Sequence, residues 1–578
     1  MESLYNDSLS PMKRFWRLLV PDSKEIKNVY IYSIFNGLVN LTLPLGIQAI
    51  INLIQGGQMN TSWFILVSLV VLGVAVAGIL QIYQLRITED LQQKIFSRAA
   101  FEFAFRIPRI KMEELYRQYA PELVNRFFDT ISVQKGLSKI LIDFSAAGLQ
   151  VIFGLILLSF YHPFFILFSF LLVIILYFIF RYTTQKGLAT SLVESKHKYK
   201  TAHWLEELAR TNITFKLAGR TDLPLRRVND NVENYLNARE DHFKVLVRQY
   251  SLMVVFKVLV ATGLLAIGGI LVMEQLMNIG QFVAAEIIIL LIMNSVEKLI
   301  LSLETIYDVL TSLEKIGQVT DLELEQSSGI DMVKECKTGG LEIVFDHVKF
   351  GYPNNKGVYT LNELDLTIKN GEKIFITGPN SSGKSTLLHL VAGLYDAQEG
   401  NVSYNGLSKG NLEEESLRSV IGDCLSQEQL FEGSILDNIT MGKTNVSFDD
   451  VKWAVSNLGL NDFIKTMPEG YNTLLQPQGK SLPRSIVQKL LIARSIACRP
   501  KLLVLEDTFE HIDISDRIKI INFLTDKSNT WTLISVSTDK YLAQKSDWIA
   551  LMKDGRIEQI GKYDEMKKIV KLNTEDHA

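Results

Sequence analysis

Long apolar runs fill the first half of the chain, and charged residues collect between them. From Asn28 to Leu85 there is no Lys, Arg, Asp or Glu. A helix needs about 20 apolar residues to cross a bilayer. This stretch therefore holds two helices, parted by the polar turn 55–61. A second pair runs from Ile140 to Phe180, split at Tyr161-His162-Pro163, and a third from Tyr250 to Leu303, split near Glu274 to Asn278. The pattern predicts spans over 28–54, 62–85, 139–160, 163–182, 250–273 and 279–303. None of the three turns carries Lys or Arg, whereas the segments between hairpins do, as in Arg106 to Lys111 and Arg220 to Arg227. Positive residues stay on the cytoplasmic side, so the turns face out and both termini face in. One apolar run alone would equally suit a buried core helix. Six with the same charge asymmetry argue against that reading.

The segments 86–138 and 183–248 are too polar for lipid but favour helix, so they should extend the spans into the cytoplasm. Each is interrupted near its middle, at 116–122 and 209–216. Ahead of the first span, within 1–27, Pro11 to Leu19 mixes Lys13, Arg14 and Arg17 with Phe15, Trp16 and Leu18. That mixture suits a helix lying in the membrane interface; an ordinary solvated helix is the plainer alternative. With only this short polar stretch before Asn28, neither a peptidase domain nor a cleaved signal peptide is expected. Ionisable residues inside spans are costly and are candidates for function. Lys257 is expected to pair with Asp143 or Glu297, unless all three sit in solvated helix extensions. Glu286, in the outer half of the sixth span, is expected to line a polar cavity.

Composition agrees with a membrane protein: 47% of residues are hydrophobic and mean hydropathy is +0.15. A formal net charge of −3 offers nothing to nucleic acid. Cys336, Cys424 and Cys498 are far apart and form no CxxC pair, so neither a disulfide framework nor a zinc site is expected.

Residues 321–340 are polar and read as a linker, and from 341 to 578 the pattern changes to short strands and helices. Strand-like Lys373 to Thr377 leads into Gly378-Pro379-Asn380-Ser381-Ser382-Gly383-Lys384-Ser385-Thr386 and then an apolar helix. This is GxxxxGK[ST] between a strand and a helix. Its glycines let backbone N–H groups wrap a phosphate chain, Lys384 reaches the terminal phosphates and Ser385 ligates Mg2+. Tyr352, upstream, offers a platform for adenine. The apolar run Leu502 to Leu505 ends in Glu506 and Asp507, carboxylates suited to holding Mg2+ and orienting water.

Tyr352, the phosphate loop, Gln427, the helix ending Gln488 to Arg494 and the 501–507 strand together resemble an ATP-binding-cassette protein. The six spans ahead resemble the exporter type, with membrane and ATPase domains fused. The resemblance implies an all-α six-helix transmembrane domain over 28–320, of the type IV exporter arrangement, followed by an α/β P-loop NTPase domain. It implies ATP and Mg2+ as ligands, with Ser385, Gln427 and Glu506 at the metal, and Asp507, Glu506, Gln427 and Thr538 around the attacking water. It implies a dimer, either a homodimer or a pairing with a second half-transporter. Each ATP would then lie between one chain's phosphate loop and the other's signature motif. The interruptions at 116–122 and 209–216 become coupling helices. Bacterial peptide and protein secretion exporters are the nearest analogy, which brings in a membrane-fusion adaptor as a candidate partner.

Several positions depart from the family pattern. The signature LSGGQ is here Leu482-Pro483-Arg484-Ser485-Ile486. Pro483 has no N–H to give, while Arg484 and Ser485 remain as candidate phosphate contacts. Asp-Glu is reversed to Glu506-Asp507, Thr538 replaces the switch histidine, and the loop at Gln427 is one residue short. Nucleotide binding should therefore outlast hydrolysis. Two readings follow: a slow ATP-driven exporter, or a nucleotide-binding regulator, channel or scaffold that does not hydrolyse. The defects fall on both of the surfaces that would make a composite site, which favours a homodimer, or compensating chemistry, over an asymmetric heterodimer.

Overall fold

The computed structural model describes residues 10–55, 61–336, 339–353, 357–567 and 569. The chain divides into two compact units: Met1–Pro108 with Tyr119–Leu322, and Arg109–Gln118 with Glu323–Ala578.

The first unit is helical. Its elements are α1 (Pro11–Leu19), α2 (Ser23–Asn40), α3 (Thr42–Gln55) and α4 (Thr61–Arg106). After α5 (Met112–Tyr116), which belongs to the second unit, come α6 (Ala120–Asn125), α7 (Asp129–Lys139) and α8 (Ser145–Ser159). The unit closes with α9 (Pro163–Arg210), α10 (Asn212–Leu217), α11 (Leu223–Met273) and α12 (Ile279–Thr320). Among the described residues, six stretches are long and apolar enough to cross a membrane. The four longest helices, with 46, 48, 51 and 42 residues, run well past a bilayer's hydrocarbon core of about 30 Å. Their ends form the polar helix extensions read from the sequence.

Local chemistry sets the breaks. The first span is bent rather than continuous: α2 stops at Asn40 and α3 starts at Thr42. Pro44 has no N–H for the Asn40 carbonyl, and Thr42 Oγ1 instead donates to the Val39 carbonyl at 2.7 Å. The turn after this span lies mostly outside the described residues, as do the first nine residues. The second hairpin turns where Pro163 starts α9 and His162 Nδ1 accepts the Phe164 N–H. The third turns into a capping box: Asn278 Oδ1 accepts the Gln281 N–H at 2.7 Å and Gln281 Oε1 accepts the Asn278 N–H at 3.0 Å. Between α7 and α8, Ile140–Phe144 is wound as a π turn.

Helices α8, α9, α11 and α12 share one apolar core, including Leu155, Leu158, Phe165, Val260, Ile288 and Ile292. Gly187 lets α9 approach α12 closely: a Cβ there would lie 2.4 Å from the Tyr307 ring. Tyr307 is fully buried and accepts a hydrogen bond from Gln249 Nε2 of α11 at 2.7 Å. The charged residues of the spans also find their places. Lys257 Nζ sits 2.5 Å from Glu297 Oε2, so Glu297 and not Asp143 is its partner. Asp143 falls in the π turn. Glu286 is half-buried, with no hydrogen bond or ion pair among the described residues.

The second unit is α/β. Its strands are β1 (Ile343–Phe350), β2 (Leu361–Ile368), β3 (Lys373–Thr377), β4 (Glu399–Tyr404), β5 (Leu407–Ser408) and β6 (Ile421–Cys424). These are followed by β7 (Gly433–Ser434), β8 (Leu474–Leu475), β9 (Leu502–Glu506), β10 (Thr532–Val536), β11 (Trp548–Lys553) and β12 (Arg556–Gly561). Strands β2-β1-β4-β5 form an antiparallel sheet, and β12-β11-β3-β10-β9-β6 a sheet that is parallel except at β12. Every residue of β3, β9 and β10 is buried, as expected for parallel strands covered on both faces. Only part of 321–340 behaves as a linker. Met332 in α13 (Met332–Glu335) is wholly buried in the unit's core, and Glu325 makes a two-pronged pair with Arg418.

Candidate nucleotide site

The site grows from the end of β3. The chain leaves this buried central strand, turns through 378–383 and enters α14 (Lys384–Val391). The turn needs glycine at two points. Gly378 has φ +153°, and a Cβ there would lie 2.0 Å from the Met552 carbonyl oxygen. Gly383 sits at φ +97°, where a Cβ would meet Leu361 at 2.9 Å. Ser381 is also left-handed, at φ +64°. Lys384 Nζ donates to the carbonyls of Gly378 at 2.9 Å and Pro379 at 2.8 Å, which folds the loop around its own cation. Desolvation lowers this lysine below its ordinary value. Pro379, Asn380, Ser381 and Ser385 are exposed along the loop. Ser382 Oγ is buried without a hydrogen-bond partner.

These features fit a bound triphosphate with Mg2+. A hydroxyl is left unsatisfied, the backbone is curled, a helix N-terminus faces the loop, and a lysine is anchored only to carbonyls. The metal side fits too. Glu506 ends β9 and is only 4% exposed. Burial pushes its carboxyl up, but hydrogen bonds from Ser385 and from the Ser426 N–H and hydroxyl outweigh it, and the carboxyl stays below its ordinary value. It is therefore an anion beside the loop serine.

Asp507, the next residue, is exposed and left-handed at φ +45°, and its N–H donates to the Val536 carbonyl. Partial desolvation, then Glu510 and Glu506, raise its carboxyl. Thr538 follows β10, the strand between β3 and β9, and is exposed at the same edge of the sheet. Tyr352 stands against α14: its hydroxyl lies 3.2 Å from Thr386 Oγ1 and 3.4 Å from His389 Nδ1. One face of its ring is stacked on Tyr116 of α5, with centroids 4.9 Å apart and planes at 16°.

Other sequence-predicted residues sit apart. Gln427, expected beside Glu506, is exposed, and Ser426 makes that contact at 2.8 Å. The cause is local. The Glu428 carboxylate accepts the Leu425 N–H at 2.8 Å and tightens the turn so that residue 426 faces Glu506. No sequence signal singled out Ser426, or Tyr116. Arg484 and Ser485 open the helix Arg484–Ala497, whose N-cap is Pro483 with no capping hydrogen bond. Among the described residues no hydrogen bond or ion pair joins either to the loop 378–386. Leu482 and Ile486 pack instead against the core beneath that helix.

A parallel sheet with this loop, this lysine and this carboxylate pair defines a P-loop nucleotide-binding domain, joined in one chain to six apolar spans. The chain belongs to the ABC transporter family. The family's ATP-binding model, described as ABC transporter, matches residues 361–510, and the ABC transporter transmembrane region matches 28–296. The transport/processing ATP-binding protein ComA of Streptococcus pneumoniae is 23% identical over 557 residues, 96% of this chain and 76% of that protein. The alpha-hemolysin translocation ATP-binding protein HlyB of Escherichia coli O157:H7 is 29% identical over 299 residues, 52% of this chain and 42% of its own length. The uncharacterized ABC transporter ATP-binding protein YfiC of Bacillus subtilis is 28% identical, over 53% of this chain and 50% of that relative. The solved structure of a bacterial Atm1-family ABC exporter with ATP bound shares the fold, with TM-score 0.81 and 18% identity over 94% of this chain and 97% of that one.

Proposed function

We propose that this chain is one half of a dimeric exporter that uses ATP to move a substrate across the cytoplasmic membrane, with both termini in the cytoplasm. The observation that carries the reading is the fit of the Lys384 loop and the anionic Glu506 to Mg-ATP in a chain with six apolar spans.

Backbone N–H groups of 378–386 and Lys384 hold the phosphates, and Tyr352 packs on adenine. Ser385, Glu506 and Gln427 hold Mg2+, with Ser426 fixing Glu506. The metal supplies charge neutralisation at the terminal phosphates. Asp507 orients the attacking water, and Thr538 hydrogen-bonds beside it without the charge of an imidazole. Arg484 and Ser485 reach the nucleotide held by the partner. Repeated cycles of closure and hydrolysis alternate the access of the membrane cavity. ComA and HlyB carry names of transport/processing and of hemolysin translocation, which makes a peptide or protein the first class of cargo to test and a membrane-fusion adaptor the first partner.

A second reading, a nucleotide-binding protein that does not hydrolyse, is favoured by one observation: Pro483 caps the signature helix and offers no N–H. Each lost catalytic contact costs about 10²–10⁴-fold in rate. Steady-state phosphate release by the full chain in lipid nanodiscs separates the two. Turnover that disappears in Lys384→Ala supports the exporter. Nucleotide bound without turnover in the wild type sinks it in favour of the second reading.

A further inference from the structure

A cavity of about 290 Å³ lies in the first unit among α1, α4, α7 and α12. Ile95, Phe103, Val133 and Leu313 line its apolar wall, and Arg14, Arg17, Arg98 and Arg106 its rim. Three of the four arginines are already neutralised. Arg14 pairs with Asp321 at 2.5 Å, Arg98 with Asp22 at 2.9 Å, and Arg106 with Glu102. Arg17 is exposed and has no hydrogen bond or ion pair among the described residues. One buried polar atom of a lining residue, Thr130 Oγ1, lacks a hydrogen-bond partner, while Arg14 Nε lies 3.4 Å from the Glu314 carboxylate. The Arg14 side chain is more than nine-tenths buried.

We propose that this cavity binds one anionic phospholipid, with the headgroup phosphate at Arg17 and the start of an acyl chain along the apolar wall. A water takes up about 30 Å³ in the liquid, so the cavity is far larger than a bridging water needs. A small inorganic anion would leave the wall wet, and a purely apolar guest would leave Arg17 without a counter-charge and the Thr130 hydroxyl unsatisfied. Only an anionic amphiphile satisfies both. The helix that carries Arg14 and Arg17 also exposes an apolar face. On α1 and at its C-cap, Met12, Trp16 and Val20 are 49%, 61% and 69% exposed beside the cations Lys13 and Arg17, the composition of an element lying in the headgroup layer. Basic pockets at the cytoplasmic ends of spans are suited to anionic headgroups.

The test uses the full chain in nanodiscs of phosphatidylcholine with a minor share of phosphatidylglycerol. Lipids that stay with the protein on release are identified by native mass spectrometry. Wild type should retain one phosphatidylglycerol in preference to phosphatidylcholine. Arg17→Gln should weaken that retention about five-fold, the worth of one cation at an anionic surface, and leave nucleotide binding unchanged. Ala99→Phe, which fills the cavity from α4 and keeps every arginine, should abolish it. Equal retention of both lipids, or undiminished phosphatidylglycerol in both variants, overturns the site.

Discussion

Removing either charge of the Lys257–Glu297 pair should destabilise the membrane unit, and removing both should restore most of the loss. The pair joins α11 to α12 across 2.5 Å, each side chain 29–30% exposed. Phe256, Val260, Val296 and Ile300 around it are buried. Lys257 lies seven residues past Tyr250, which at 1.5 Å per residue puts it about 10 Å along the helix from the start of the apolar run. A lone charge at the centre of a bilayer costs about 2.5–3.5 kcal/mol on insertion scales. At this shallower depth and partial exposure, the residue left behind should cost about 1–2 kcal/mol. Lys257→Met strands Glu297, and Glu297→Gln strands Lys257, whereas the double variant strands neither. Equilibrium unfolding in mixed lipid–SDS micelles, followed by tryptophan fluorescence, gives the three differences and their coupling energy. A coupling of about 1 kcal/mol or more is expected. If the double variant loses as much as the two singles together, the two residues do not compensate each other and the reasoning fails.

Three other outcomes follow from the geometry. Gly187→Ala drives a methyl to within 2.4 Å of the Tyr307 ring and should cost about 1–3 kcal/mol, read in the same micelles; Gly148→Ala, with open space around it, is the control. Burial, then the neighbouring Asp423, pushes the Glu428 carboxyl from an ordinary 4.5 up to about 8. The folded unit therefore holds an extra proton between those values: its contribution to stability is complete below 4.5 and is lost as pH rises through about 8. The melting temperature of the ATP-binding unit should fall over that window, and Glu428→Gln should flatten the fall; an unchanged slope counts against it. Asp507→Glu restores one methylene of reach toward the water and should raise phosphate release about ten-fold, while no gain would show that reach does not limit the reaction.

What the sequence made legible was what its local chemistry dictates. Six spans were visible because 28–85 holds no charge and the turns hold no cation. The phosphate loop was visible because Gly378 and Gly383 occupy backbone shapes that side chains rarely take. Features made by distant contacts stayed hidden. Arg14 read as one more interfacial cation, yet its partner Asp321 stands 307 residues away. The stack of Tyr116 on Tyr352 joins residues far apart in the chain and leaves no local pattern. The exchange of Gln427 for Ser426 at Glu506 depends on a turn pinned by Glu428, a hydrogen bond no spacing rule encodes. The bend at Leu41 was recoverable in hindsight from Pro44, but the hydropathy of the run outweighed it.

Binding of labelled ATP with Mg2+ to the full chain in nanodiscs, compared with Lys384→Ala, tests the account at its root. Saturable binding to the wild type and its loss in the variant are predicted. Wild-type protein that takes up no nucleotide, or a variant that binds as well as the wild type, would contradict it.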